Sequence, residues 1–145
     1  MSAISYTAAN VKLPNETEVI KIRGTMGAAS LVPGMPVYLD GANGWKAGDA
    51  DVAASGQVRG ILAALPNGSV SSAVGDVGDI VTEGRVTGYA SMTPGAAVFV
   101  STTAGSLDQT APTAEDDYVF AIGWAESATT IYVHPQITVP AANPS

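Results

Sequence analysis

Histidine, cysteine and paired carboxylates build most active sites and metal centres, and this chain offers few of them. His134 is its single histidine, and it has no cysteine. A zinc centre draws on several His or Cys ligands, and a Ser-His-Asp set needs an orienting carboxylate and a nucleophile on a rigid turn. His134, at a strand end before Pro135, meets neither need and reads as a surface residue. Carboxylates are more plentiful, as Asp49 with Asp51, Asp76 with Asp79, and Glu115-Asp116-Asp117. Such pairs can act as acid and base on a glycoside or hold Ca²⁺. None has EF-hand spacing, and each sits in a Gly- or Ala-rich stretch where acids serve as turn formers and solubilisers. There is no Gly-x-Ser-x-Gly elbow, no Walker A loop and no Gly-x-Gly-x-x-Gly between strand and helix. The expectation is of no enzyme, with no catalytic residues, no cofactor site and no metal ligands.

Basic and aromatic side chains point the same way. The formal net charge is −7, and the six basic residues, Lys12, Lys21, Arg23, Lys46, Arg59 and Arg85, all precede residue 86. Phosphate binding needs clustered Lys and Arg, so direct contact with nucleic acid is not expected. The aromatics do not interleave with bases as stacking platforms would; most read as core or interface. Trp45 is the exception, because Gly44-Trp45-Lys46 falls at a hairpin tip, where a large ring stays exposed unless a partner subunit covers it.

The elements that would position these groups are strands. Of 145 residues, 46% are hydrophobic and 13% charged, the balance of a folded chain. No run reaches the roughly 18–20 apolar residues of a membrane-spanning helix, and Met1–Thr7 lacks the basic and apolar regions of a cleaved signal, so synthesis in the cytoplasm is expected. Ala29-Ser30-Leu31-Val32-Pro33-Gly34-Met35-Pro36-Val37-Tyr38-Leu39 matches Ala90-Ser91-Met92-Thr93-Pro94-Gly95-Ala96-Ala97-Val98-Phe99-Val100, 61 residues on. The same offset pairs Gly27 with Gly88, Gly44 with Gly105 and Val19-Ile20 with Ile80-Val81. One module therefore occurs twice, at 18–75 and 79–134. Pro33-Gly34 and Pro94-Gly95 predict type II turns feeding β-branched and aromatic strands. Ile20-Lys21-Ile22-Arg23 alternates like a strand with one wet face, and further strands are expected over 57–63, 77–82, 85–90, 118–124 and 129–134. The predicted fold is an all-β small barrel or sandwich built from two related modules; only 69–74 has any helical character. Whether the modules share one barrel is left open by the pattern.

Both ends read as extended arms. Residues 1–17 are polar and aperiodic around Pro14, and 135–145 carries three prolines and no charge. Ile4, Tyr6, Val11 and Leu13 are strand-competent, so the N-terminal arm is expected to add to a neighbour's sheet edge, leaving the modules folded if removed.

Ser91-Met92-Thr93-Pro94-Gly95-Ala96-Ala97-Val98-Phe99-Val100-Ser101, then 104–112, Val119-Phe120-Ala121-Ile122-Gly123-Trp124-Ala125 and Thr129-Thr130-Ile131-Tyr132-Val133 together resemble the small head decoration, or capsid cement, proteins of tailed bacteriophages. The resemblance covers most of the second module and, more weakly, the first; fibre modules share parts of it. It implies a structural virion protein on the outer capsid surface, commonly a homotrimer with an extended N-terminal arm, that bridges neighbouring major capsid protein subunits. Ile4, Tyr6, Val11, Leu13 and Trp45 are then the expected capsid or subunit contacts. The alternative is a receptor- or glycan-binding fibre or tail module.

Overall fold

The computed structural model describes residues 3–138 and 140–144. Its strands, in chain order, are β1 (Ser5–Tyr6), β2 (Ile20–Thr25), β3 (Pro36–Leu39), β4 (Trp45–Ala47), β5 (Gly60–Ala64), β6 (Val77–Thr87), β7 (Tyr89–Ala90), β8 (Ala97–Val100), β9 (Leu107–Asp108), β10 (Ala121–Ala125) and β11 (Thr130–Val133). A single α-helical turn, α1, spans Ala53–Gly56. The fold is all-β, as the punctuated strand pattern predicts, with a strongly curled half-barrel sheet and a second small sheet. The main sheet runs β4-β3-β5-β6-β11-β10-β8-β9, β2 also pairs with β6, and β1 pairs with β7 alone.

The repeated sequence produces repeated backbone. β3 and β8, and likewise β5 and β10, occupy spans 61 residues apart. Both Pro-Gly turns place glycine at positive φ, 104° at Gly34 and 85° at Gly95, where a side chain would strain the backbone. Each of these glycines donates its N–H at 2.7 Å to a carbonyl of the strand that pairs with the one it feeds, Leu62 on β5 or Ala125 on β10. Ser30 and Ser91, four residues before them, also share positive φ, 66° and 61°.

β6 joins the halves. Its first part pairs with β2 and β5, through Val77–Glu83 and Asp79–Val81, and its last part, Gly84–Thr87, pairs with β11. The changeover falls at Gly84, whose φ of 126° lets the strand bend against Val19. The strict alternation of a half-wet strand fails here: Ile80 and Val81 are adjacent and both fully buried. They face different cores. Ile80 packs with Met26, Leu31, Val37, Trp45, Leu62 and Leu65, whereas Val81 packs with Ile61, Val86, Val98, Phe120, Ile122 and Ile131. Neighbouring Ile61 and Leu62 on β5 divide in the same way. A strand covered on both faces reads as a continuous apolar run, and this central wall separates a smaller core, drawn mostly from the first half, from a larger one that both halves line, Ala50, Val58, Ile61 and Ala63 of the first half included. The sequence boundary at 75–79 thus meets the start of a strand that serves both halves.

The free N-terminal arm expected from sequence is replaced by a segment folded onto its own molecule. In the first half, Met26, just after β2, bridges directly to Trp45 on β4. In the second half the corresponding opening between β7 and β9 is filled from the N-terminus: β1 pairs with β7 on one side, and the Ile4 N–H donates to the Leu107 carbonyl on the other at 2.8 Å. Lys12 pairs with Thr87 through reciprocal bonds of 2.9 and 3.1 Å, Val11 is buried, and Ile4, Tyr6 and Leu13 pack against the larger core. Ile4 and Tyr6 are strand-competent because they form a stave within the chain. The C-terminal tail is also engaged. Gln136 donates to the Ala121 carbonyl (2.9 Å), Gln57 donates to that of Ile137 (2.9 Å), and the Asn143 amide reaches Pro112 (2.9 Å) and Ala114 (3.1 Å). Val139 and Ser145, which belong to that predicted tail, lie outside the described residues.

The loop after β4 departs from the repeat. Residues 48–50 donate to Ser101 and accept from Gly105 and Tyr118 of the other half, tying it down. α1 ends at Gly56, where a Cβ would lie 2.5 Å from the Phe120 ring, so the turn closes over the larger core only with glycine there. The helical character noted at 69–74 resolves into bends, after a 3₁₀ turn at Pro66–Gly68.

Candidate interaction surfaces

Of the groups first considered for chemistry, the structure brings Asp117 near the Asp49–Asp51 pair and leaves His134 away from it. The His134 Nδ1 lies 3.1 Å from the Glu83 Oε1 on an open surface, its side chain 71% exposed. Burial pushes the Asp49 carboxyl above its usual range, and negative charge on Asp51 and Asp117 adds to this. Asp49 accepts the Asp51 N–H at 3.2 Å, the local bond of a turn-forming acid. Asp79 pairs with Lys21 and Arg23 rather than with Asp76, whose carboxylate accepts the Ala73 N–H at 2.9 Å. Among the described residues, no three His, Asp or Glu side chains converge as metal ligands would.

Trp45, expected at an exposed tip, is buried. Gly41–Asn43 makes the tip, and Trp45 opens β4 with only 7% of its surface accessible. The ring fits because β2 has glycine at position 24, where a Cβ would stand 2.4 Å from the indole nitrogen. Ile4, Tyr6, Val11 and Leu13 are likewise spent on the chain's own core. Val11 and Trp45 are buried, whereas Ile4, Tyr6 and Leu13 stay partly exposed.

Two other surfaces leave large apolar or aromatic side chains open to solvent. The first lies on the outer face of the second half. Ile131 and Val133 point into the core, so alternation turns Tyr132 outward, where Trp124 stands directly opposite on β10. Their rings stack at 5.6 Å with an interplanar angle of 23°, and Trp124 remains 43% exposed. On the other side of Tyr132, across β11, stands Arg85, its guanidinium carbon 5.9 Å from the ring centroid. Arg85 Nε lies 2.8 Å from both Glu126 oxygens and Nη1 lies 2.8 Å from Glu18. At this exposure such pairs add little stability. They fix the guanidinium beside the rings, and hydrogen bonding to Glu126 above all raises its proton affinity further. The result is a flat, pre-ordered patch of Trp, Tyr and Arg, the residue types that dominate binding at interface centres.

The second surface is the edge of β2. Among the described residues the strand pairs only with β6, and Ile20, Lys21, Ile22 and Arg23 are all exposed, Ile20 by 61% and Ile22 by 41%. Over the sheet face that spans β2, β6 and β5 lies an open groove of about 340 Å³ lined by Lys12, Leu13, Glu16, Lys21, Ala63 and Asp79 among others.

Sequence reading placed Trp45 at an exposed tip, where the structure buries it, and left Trp124 as core or interface, where the structure leaves it exposed. The signal for Trp124 was present in Ile131-Tyr132-Val133: a ring between two β-branched core residues faces outward, and its cross-strand neighbour follows it. No family model matches the chain, and no curated protein gives a significant match.

Proposed function

We propose that this chain is a structural virion protein that binds the outer surface of a phage capsid and stabilises the shell by bridging neighbouring major capsid protein subunits. The observation that carries the reading is the uncovered Trp124–Tyr132–Arg85 patch. Interface cores are enriched in Trp, Tyr and Arg, and an exposed stacked pair on a rigid sheet gains binding energy without an ordering cost. The acidic net charge of −7 suits the outside of a DNA-filled shell. A protein that binds only the assembled lattice stabilises it by mass action, and copies engaging several subunits gain from effective concentration. Association as a homotrimer belongs to the same reading.

The test is cosedimentation of the purified protein with expanded heads, together with its position and copy number in particle images. Trp124→Ala is expected to weaken head binding about 30-fold, the loss typical of a central interface aromatic, with little change in melting temperature. Unchanged occupancy by this variant would exclude the patch as the capsid contact.

The exposed indole also favours a second reading, a receptor- or glycan-binding fibre module, because aromatic faces stack on sugar rings. Glycan-array binding that requires Trp124, with the protein located on the tail, decides for it.

A further inference from the structure

We propose that the free edge of β2 docks an extended, acidic strand of another protein, which adds to the sheet beside Ile20–Gly24. This goes beyond the virion reading, because it specifies the chemistry of a partner segment and holds whatever particle carries it. A strand paired on one side leaves alternate N–H and C=O groups directed outward, and an incoming strand satisfies them. Among the described residues none pairs with this edge: after Gly24 the chain passes to Met26, whose bridge to Trp45 carries it away.

Charge selects the occupant. The chain is acidic overall, and two of its cations are firmly neutralised, Lys46 by Asp40 at 2.7 Å and Arg85 by Glu18 and Glu126 at 2.8 Å. Lys21 and Arg23 instead share one carboxylate, Asp79, at the looser distances of 3.6 and 3.7 Å. On the edge strand itself both charged side chains are cations, Lys21 and Arg23, while the carboxylates Asp79 and Glu83 stand one strand back on β6. A second copy is disfavoured. Antiparallel self-pairing centred on Ile22 sets Lys21 opposite the other copy's Arg23, and like charges directly across a ladder repel. The side chains that reject a second copy select a strand in which acids alternate with apolar residues, the apolar ones meeting Ile20 and Ile22.

The experiment titrates the full-length protein with a ten-residue peptide alternating valine and glutamate, and follows backbone amide shifts by NMR. Two controls are a valine–lysine peptide and the glutamate peptide with alternate amides N-methylated. Shifts centred on residues 19–25 and the facing part of β6, produced by the glutamate peptide alone, are expected. The double variant Lys21→Glu/Arg23→Glu is expected to weaken its binding about tenfold, the product of two cross-strand charge pairs worth roughly threefold each, and to begin binding the lysine peptide. If the double variant does not fold, the unaltered protein with the three peptides decides. Equal binding of both charged peptides, binding insensitive to N-methylation, shifts elsewhere, self-pairing through β2, or no binding at millimolar peptide would each overturn the proposal.

Discussion

Truncating Tyr6 tests whether the N-terminal segment is a stave of the second half or a detachable arm. The Tyr6 ring meets Tyr89 edge-on with centroids 5.5 Å apart, and its hydroxyl donates to the Gly105 carbonyl at 3.1 Å. The ring also covers Gly34, where a Cβ would lie 2.6 Å from it. Tyr6→Ala removes all three contacts. Truncating a fully buried aromatic costs about 3–5 kcal/mol; Tyr6 is half-buried, so about 2 kcal/mol belongs to transfer and cavity. The edge-on pair adds about 0.5–1.5 kcal/mol and the hydrogen bond about 1 kcal/mol. A total of about 3.5–4.5 kcal/mol lowers the melting temperature of a chain this size by roughly 10–15 °C. Urea unfolding should show a lower midpoint at unchanged slope, and hydrogen exchange should lose protection first at the Ile4 amide. Tyr6→Phe, which keeps the ring and loses the hydrogen bond, is expected to cost only about 1 kcal/mol. A Tyr6→Ala protein within about 0.5 kcal/mol of the parent, the range of an ordinary surface change, would refute the stave and restore the arm.

Three further outcomes follow from the same geometry. Burial pushes the Tyr6 phenol from its ordinary 10.0 up to about 12 and raises that of Tyr89 well above 10.0. Because the folded state holds these protons more tightly than the unfolded chain, their contribution is intact below pH 10 and is lost as pH rises toward about 12; alkaline melting curves should fall in that window, less steeply for Tyr6→Phe. Gly24→Ala drives a methyl into the Trp45 indole and is expected to cost about 1–3 kcal/mol by overpacking, with a shift in tryptophan emission that Thr25→Ala does not produce. Ile80→Ala and Val81→Ala, adjacent on one strand but in different cores, should each destabilise the whole molecule in a single transition; two separate transitions in either variant would contradict a shared wall.

Local chemistry was legible wherever one residue decides the outcome. Pro33-Gly34 and Pro94-Gly95 fix their turns because only glycine adopts the second position freely, and the fixed offset between them exposes the repeat. What escaped was decided by distant neighbours. Trp45 follows a tip turn and reads as exposed until Gly24, some twenty residues earlier, is seen to leave room for it. Ile4 and Tyr6 carry a strand signature that is the same whether the partner strand lies in another subunit or in this one; the opening between β7 and β9 settles it, and no local pattern announces that opening. Adjacent burial of Ile80 and Val81 breaks strand periodicity for a reason visible only when a core is found on each face.

The continuity of β6 has a metric consequence. Ile80, opposite the exposed Ile22, and Arg85, beside the aromatic pair, are five residues apart on one strand. At about 3.3–3.4 Å per residue they stand at most roughly 17 Å apart. Both positions belong to one continuous strand, bent at Gly84, so the exposed edge of β2 and the aromatic patch have a set pitch. The molecule is in effect a gauge: inserting one residue into β6 would change both the distance and the side from which one of the two surfaces is presented.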